Sequence, residues 1–292
     1  MEHVQQIWES VKALALGVAR TPFDMSVRFA LVYLGCSVVI AILIWQVRGR
    51  PTGLVRWLLP REVYRNRSNL LDIKLFLANR VIGLSGVLGA LVVTPVVAYA
   101  VLNVLADDAV SLASGQVTFT AALVSTLVIV MSADSCKYWA HRLHHEMDVL
   151  WPFHAVHHSA EVLTPLTLVR AHPVEAIFKL LIIGVIVGTV QGVLLFALGS
   201  ELDLLTIGGA NAIHFLFNAL GSNLRHSHIW LSYGRVLEHV LISPAQHQIH
   251  HSSAPEHHNK NYGSIFALWD WAFGTLYVPR RQETLTFGVA DE

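Results

Sequence analysis

Long apolar runs dominate the pattern of this chain, and most of them approach the roughly 20 residues that a helix needs to cross a bilayer. Five runs stand out, at 29–47, 81–105, 117–131, 180–198 and 204–220, of which the third is short. Only helices and closed barrels satisfy their backbone hydrogen bonds in lipid, and runs of this length favour helices. The pattern therefore predicts an all-α integral membrane protein with about four to five transmembrane helices.

The composition supports this prediction and excludes several classes of function. Apolar residues make up 54% of the chain and charged residues only 14%, far from the balance of soluble proteins. The net charge is zero, which gives no reason to expect a nucleic-acid partner. Two cysteines, Cys36 and Cys136, imply neither a disulfide framework nor an iron-sulfur cluster. The first run is followed by Arg48, Arg50 and Pro51, which is unlike the cleavage site of a signal peptide.

The distribution of charge between the runs predicts an orientation. The segment 48–80 carries eight basic residues, whereas 106–116 carries Asp107 and Asp108 and no basic residue. Basic residues collect in short cytoplasmic loops, so we expect the amino terminus outside and the polar regions after the third and fifth runs inside. The stretch 70–77 is alternatively an amphipathic helix at the interface. No linker divides the chain, which predicts one domain over 1–292 with a helical cytosolic cap.

A triplet of histidines, H-x-x-H-H, occurs three times and is the main clue to chemistry. All histidines except His3 fall between His141 and His258. Residues at i, i+3 and i+4 share a helix face, so each triplet can aim its imidazoles at a metal ion. About nine ligands are too many for one ion, and no Glu has His three residues later as in soluble di-iron bundles. The pattern therefore indicates a two-metal, histidine-rich centre, whose triplets are His141-His144-His145, His154-His157-His158 and His247-His250-His251.

The three triplets and the residues around them resemble a known family. Segments 138–146, 150–159 and 243–251 are similar to the three histidine boxes of the fatty acid hydroxylase and sterol desaturase superfamily, and 261–263 and 269–275 are similar to its tail. The resemblance covers 134–277 and is greatest to the alkylglycerol monooxygenase branch and its bacterial relatives. It implies a non-haem di-iron oxygenase that uses two Fe ions and O2 to hydroxylate an unactivated carbon of a lipid. Zinc or nickel could replace iron at imidazole ligands.

The resemblance also implies a set of ligands. The expected ligands are His141, His145, His154, His157, His158, His228, His247, His250 and His251. One position of the family has no histidine here. His172 and His226, and His144, which is left over in the first box, are candidates for a further ligand or for a contact to one. Asp134, Glu146, Glu161 and Glu175 lie near the boxes and could orient imidazoles through their second nitrogen, but the sequence does not choose among them.

A polar stripe crosses the last apolar run. Asn211, His214 and Asn218 are spaced i, i+3 and i+7, so they share one face of the expected helix. Polar side chains at membrane depth face protein or a cavity. The stripe could line a substrate tunnel or form hydrogen bonds between helices.

Several alternatives remain open from the sequence. Desaturation shares its oxidant with hydroxylation, and the boxes do not separate the two. A histidine-rich metal transporter or sensor is another class, but it should place ligands within the spans, where only His214 lies. No dinucleotide or haem-attachment motif is present, which predicts an external ferredoxin, cytochrome or flavoprotein reductase that docks on the basic segment 48–80. Ether lipids or other glycerolipids are the favoured substrates; sterols, carotenoids, ornithine lipids and acyl chains stay open. The expected location is a bacterial inner membrane or the endoplasmic reticulum, with the boxes on the cytoplasmic side.

Overall fold

The computed structural model describes residues 30–84, 92–106, 118–198 and 203–289, together with scattered positions before residue 30. Helices dominate these residues, and within them no strand occurs beyond two isolated bridges, Leu241 with Phe266 and Ser252 with Phe287. The expected all-α class is confirmed for this part of the chain. The acidic loop with Asp107 and Asp108 lies outside the described residues.

Eleven helices of the described residues carry the architecture. They are α1 (Leu31–Val47), α2 (Leu54–Leu58), α3 (Arg61–Tyr64), α4 (Ser68–Leu84), α5 (Val93–Ala106), α6 (Phe119–Glu146), α7 (Trp151–His158), α8 (Pro173–Leu198), α9 (Asp203–Ala219), α10 (Pro244–His250) and α11 (Leu268–Ala272). Short 3₁₀ turns at Pro165–Val169, Ser222–His226, Leu237–His239 and Pro255–His257 connect the later ones.

Two of the helices, α6 and α8, are long and apolar enough to cross a membrane. Their most apolar windows are only 33% and 22% buried, unlike the core helix of a soluble protein. Helices α1 and α5 are apolar but shorter, with 17 and 14 residues. The number of helices that reach both surfaces, and the orientation, stay predictions.

The second and third expected spans differ from the structure. The run 81–105 is not one continuous helix, because Val92 is not helical and α5 begins at Val93; residues 85–91 of this run lie outside the described residues. The stretch 70–77 lies inside α4. The third span was expected at 117–131, but α6 continues for 28 residues through the whole first box. The i, i+3, i+4 spacing of that box is itself helical, so nothing in the local sequence ends the helix before Glu146.

A stripe of glycines lets α8 approach α5 closely. A Cβ atom at Gly184 would lie 2.6 Å from Val93 Cβ, and one at Gly188 would lie 2.6 Å from the carbonyl oxygen of Thr94. Gly192 makes the same kind of approach to α5. Small residues at a spacing of four are typical of close packing between membrane helices. The pair α5–α8 is accordingly the most extensive helix contact of the described residues.

Replacing Gly188 with alanine is expected to destabilise the protein by about 1–3 kcal/mol, because the methyl group meets backbone that cannot move aside. Thermal unfolding in detergent, followed by circular dichroism, measures the effect. Gly35→Ala on α1 is the matched control, since nothing lies within 4 Å of a Cβ there. Equal stability of the two variants would contradict the close packing.

Candidate metal centre

Local sequence explains the helices that carry the histidines. Helix α10 begins with a capping box: Ser243 Oγ accepts the amide of Gln246 at 3.1 Å, and Gln246 Oε1 accepts the amide of Ser243 at 3.0 Å. Pro244 occupies the first turn of α10, where a backbone amide would have no hydrogen-bond partner within the helix, so its missing N–H costs nothing there. Pro152 does the same at the start of α7. The third triplet therefore begins at His247, one turn after the capped start of α10.

The structure brings nine histidines together in two adjacent groups. Within each group, one nitrogen from every ring lies within 4.8 Å of all the others. The first group has five members and the second has four: His141, His145, His154, His158 and His250, then His157, His226, His247 and His251. Rings of the two groups touch, since the centroids of His158 and His251 are 4.5 Å apart.

One geometric rule assigns the members of the second and third triplets to the groups. Residues i and i+4 lie about 40° apart around a helix, whereas i+3 lies about 60° to the other side of i. On α7, His154 and His158 enter the first group while His157 enters the second. On α10, the i and i+4 members enter the second group while His250 enters the first. A triplet thus reaches both groups from one helix, which the sequence pattern alone did not indicate.

Backbone carbonyl groups fix which nitrogen of several rings carries the proton. His141 Nδ1 donates to the carbonyl oxygen of Tyr262 at 2.8 Å, and His250 Nδ1 donates to that of Lys260 at 2.9 Å. His157 Nδ1 lies 3.2 Å from the carbonyl oxygen of Arg170. A carbonyl oxygen can only accept, so these neutral rings keep a bare lone pair on Nε2. This arrangement is typical of histidines that bind a metal.

The unprotonated Nε2 atoms face one another, and a bound cation would explain this arrangement. His141 Nε2 and His154 Nε2 are 3.0 Å apart, and the Nδ1 atom of His154 lies 3.2 Å from the Glu175 carboxylate. Two lone pairs at this distance repel each other unless a positive charge lies beside them. The Nε2 atoms of His145, His158 and His250 are buried without a hydrogen-bond partner. Adjacent ligands of an ion with bonds of about 2.1 Å are about 3 Å apart, so the donor set fits metal ions.

His226 completes the second group from a 3₁₀ turn. Its Nε2 atom lies 3.1 Å from Nε2 of both His247 and His251, and 3.3 Å from that of His157. The turn is held by Gln248, whose buried amide donates to the carbonyl oxygens of Leu224, Ser227 and Ile229 at 2.9–3.0 Å. A residue inside the third box therefore positions a histidine that lies outside every box.

Burial keeps the imidazoles neutral. Desolvation lowers the pKa of His157 and of His250 to about 3, and it lowers the pKa of His158, His247 and His251 well below the usual value. Neighbouring imidazoles act in the same direction, because a second proton in the cluster would repel the first. Neutral rings are the form that binds metal.

Acidification is expected to destabilise the metal-free protein, starting near pH 6.5. The folded pKa of His157 and His250 is about 3 and the unfolded value is about 6.5, so the unfolded chain binds more protons between these limits. The free energy of unfolding is therefore highest above pH 6.5 and falls as the pH decreases. Chemical unfolding between about pH 7 and 5 measures this slope. The variant His157→Gln/His250→Gln should show a shallower slope, and an unchanged slope would contradict the assignment.

Of the four carboxylates near the boxes, Glu175 contacts a histidine of the groups. Its Oε2 atom lies 3.2 Å from Nδ1 of His154, and its other oxygen forms an ion pair with Lys179 one turn along α8. Glu146 instead pairs with Arg142 at 2.9 Å, and Glu161 is exposed.

Asp134 does not contact the two histidine groups directly; it holds the segment 265–269, which follows α10. Its carboxylate accepts the amides of Ile265 and Phe266 and the indole of Trp269, at 2.9–3.1 Å. Asp270 accepts the amides of Tyr262 and Gly263 at 2.8 Å each, and burial raises the pKa of Asp270 to about 6. These contacts fix the carbonyl group of Tyr262, which accepts the hydrogen bond from His141 Nδ1.

Arg170 lies beside the second group and is a residue that sequence reasoning missed. It is buried, with 3% of its surface exposed, and its guanidinium donates to Asp72 Oδ1 at 3.0 Å and to Val156 O at 2.9 Å. Further bonds reach the backbone and hydroxyl oxygens of Ser68 and Ser159. The side chain thus ties α4 to the end of α7, while its own carbonyl group holds His157. A lone arginine between two boxes gives no signal in the sequence.

His228 was expected among the ligands, and the structure places it elsewhere. Its Nε2 atom bonds to the carbonyl oxygen of Trp57 at 2.7 Å, and its ring packs edge-on against Trp57 and Tyr64. His226, two positions earlier, takes the place in the group. His144 is fully buried beside His154, with Nδ1 bonded to the carbonyl oxygen of Ala140 at 2.7 Å, and it belongs to neither group.

The remaining candidates make local contacts. His172 accepts the amide of Val174 at 3.2 Å, as a residue at a helix start often does, and lies outside both groups. His214 Nδ1 bonds to the carbonyl oxygen of Ala210 at 2.9 Å, and Asn218 Oδ1 accepts the hydroxyl of Ser222. Asn211 is exposed. These bonds do not test a tunnel along α9, which stays a prediction.

Comparison with known proteins fits this geometry. Residues 126–275 match the fatty acid hydroxylase family. Similar proteins include an ornithine lipid hydroxylase of Rhizobium tropici (33% identical over 54% of this chain and 43% of its own length) and the alkylglycerol monooxygenases of Danio rerio (31%, over 50% and 29%) and Homo sapiens (28%, over 54% and 32%). The matches thus span less than half of each relative. No solved structure matches the chain. Because the family match runs through all three boxes and covers 150 of 292 residues, this chain belongs to the fatty acid hydroxylase family.

Proposed function

We propose that the protein is a membrane-bound di-iron monooxygenase that hydroxylates an unactivated C–H bond of a lipid, using O2 and electrons from a separate donor. The observation that carries the proposal is the pair of adjacent histidine groups, whose bare Nε2 atoms converge on two points. The names of the relatives, which are lipid hydroxylases and monooxygenases, favour hydroxylation over desaturation.

Each group would hold one iron ion. The first ion would be held by His141, His145, His154, His158 and His250, and the second by His157, His226, His247 and His251. Imidazole donors suit iron, and zinc or nickel could take its place in a purified sample. When bound, the metals supply the activation of O2 and the removal of hydrogen from carbon.

The residues of the chain keep the donors ready for this chemistry. Carbonyl groups of Tyr262, Lys260 and Arg170 hold protons on Nδ1, so Nε2 stays available. Burial excludes bulk water from most of the rings. The histidines His141 and His145 occupy the last two turns of α6, whose first half, 119–131, is apolar. About ten residues, or roughly 15 Å of helix, separate that half from His141, so the centre would lie beyond the apolar half of α6, on the membrane face that we expect to be cytoplasmic.

Electrons would come from an external ferredoxin, cytochrome or flavoprotein reductase. Exposed arginines cluster in the segment 48–80, at Arg50, Arg56, Arg61, Arg65 and Arg67. Such a surface attracts an acidic partner, and the attraction weakens as salt increases.

Lipid extracts of cells with and without the protein test the proposal. We expect a lipid whose mass increases by one oxygen, present with the wild type and absent with His158→Ala, and purified protein that retains about two iron ions per chain. A loss of two hydrogens instead would identify a desaturase. Readily exchanged metal with flux into liposomes would identify a transporter. An unchanged lipid profile, with iron and a reductant supplied, would overturn the proposal.

A further inference from the structure

An open groove runs along one side of α1 at the end that precedes the basic segment. It has a volume of about 330 Å³ and lies between α1 and the segment 230–232. This size reaches the lower end of the range for small-molecule sites. Most of its lining residues are apolar, and Arg48, which directly follows α1, is its one charged lining residue. The other lining residues are Ile40, Leu43, Ile44, Val47, Trp230, Leu231 and Ser232.

The apolar wall of the groove is continuous with the exposed face of α1. Leu43 is 54% exposed and Val47 is 88% exposed. Exposure of such a continuous apolar row to water is unfavourable in free energy, whereas contact with the hydrocarbon of a bilayer removes it from water. From Ile40 to Val47 the row extends for about 10 Å along the helix. This shape suits an extended acyl or alkyl chain that lies parallel to α1.

The polar end of the groove carries the residue types of a membrane interface. Arg48 lies over the ring of Trp57 at 5.7 Å, and Arg50 lies over that of Trp45 at 5.4 Å. Tryptophan and arginine together at the end of an apolar helix are typical of the headgroup layer. Arg48 donates one hydrogen bond, to the carbonyl oxygen of Trp230 at 3.1 Å, and guanidinium has five donors. The exposed side chain can therefore also bind a phosphate or carboxylate.

We propose that this groove binds one membrane lipid with an anionic headgroup, its chain along α1 and its headgroup on Arg48. The site is separate from the histidine groups and does not depend on the proposed reaction. It is nevertheless connected to them by packing, because Trp230 also contacts Ala245 and Ile249 of α10, the helix that carries His247 and His250. A bound lipid would brace the segment that leads from His226 to α10.

Native mass spectrometry of the detergent-purified protein tests the proposal with two probes, phosphatidylglycerol and phosphatidylcholine of the same chain length. The wild type is expected to retain one phosphatidylglycerol in preference to phosphatidylcholine. Arg48→Gln should lower the affinity for phosphatidylglycerol by about tenfold, since it removes a charge-assisted contact. Arg48→Lys keeps the charge and should keep most of the preference. Arg67→Gln removes an exposed charge of the same segment outside the groove and should have no effect.

A second pair of variants tests the groove itself. Ile44→Trp fills it and should lower the affinity for both lipids, whereas Val39→Trp adds the same bulk to an exposed position of α1 that does not line the groove. Equal retention of the two lipids by the wild type would overturn the proposal, as would equal effects of Arg48→Gln and Arg67→Gln. Loss of binding in Val39→Trp but not in Ile44→Trp would place the lipid elsewhere on α1.

Discussion

His226→Ala is expected to lower the affinity for one of two metal ions by about 100-fold, while His228→Ala retains both ions. Structural metal sites with four ligands bind with about 10–16 kcal/mol, so the loss of one ligand in four costs roughly 3 kcal/mol. His226 Nε2 lies 3.1–3.3 Å from the Nε2 atoms of three other histidines of the second group. The Nε2 atom of His228 is already bonded to the carbonyl oxygen of Trp57.

The two variants form a matched pair, since the same residue is removed at positions two apart. Metal analysis after loading with iron or zinc gives the number of ions per chain, and competition with a chelator gives the affinity. His226→Ala should keep one ion, bound by the first group, and should lose lipid hydroxylation. A protein that loses an ion through His228→Ala and keeps both in His226→Ala would refute the placement of the 3₁₀ turn.

The same pair shows where sequence reasoning reached its limit. The number of residues before the third box selects His228. A motif records such spacing along the sequence, but it does not record the direction in which a side chain points. The choice depends on the backbone between the two histidines. The 3₁₀ turn ends at His226, Ser227 is extended with φ −157° and ψ 168°, and Gln248 holds the turn from α10. None of these features leaves a periodic signal in the chain.

Eight of the nine expected ligands came from the boxes, and all eight lie in the two groups. Their convergence has a physical basis, since residues at i, i+3 and i+4 share one face of a helix, and α6, α7 and α10 are helices. The apolar runs 29–47 and 204–220 likewise correspond to α1 and α9 within about two residues. The non-helical Val92 before α5 was missed because hydropathy does not change where a helix begins inside an apolar run.

The groups that orient the imidazoles were largely invisible in the sequence. The carbonyl groups of Tyr262, Lys260 and Arg170 hold three rings, and any residue type has a carbonyl group. Their positions depend on side chains that are far away in sequence. Asp134, for example, accepts the amide of Ile265, which lies 131 positions later. A motif search therefore finds the histidines of the two groups but not the backbone and side chains that orient them.

Replacement of Arg170 tests that scaffold and should have the largest effect on stability. Arg170→Met leaves the Asp72 carboxylate buried, 1% exposed, with Thr167 Oγ1 as its one remaining side-chain donor among the described contacts. Removal of one partner of a buried ion pair typically costs about 3–5 kcal/mol. Unfolding in detergent measures the loss. Arg142→Met is the control: its pair with Glu146 is partly exposed, and such pairs contribute about 1 kcal/mol or less.

The double variant Arg170→Met/Asp72→Leu separates stability from the positioning of His157. A buried ion pair can be replaced by apolar side chains with little loss, so the double variant should recover much of the stability of Arg170→Met. It should not recover the second metal ion. The carbonyl group that holds His157 Nδ1 belongs to Arg170, and the bonds of its side chain to Ser68, Ser159 and Val156 are lost in both variants. If stability and metal content recover together, Arg170 supports the fold alone; if stability recovers and the affinity for one ion stays lower by about 10–100-fold, Arg170 positions a metal ligand.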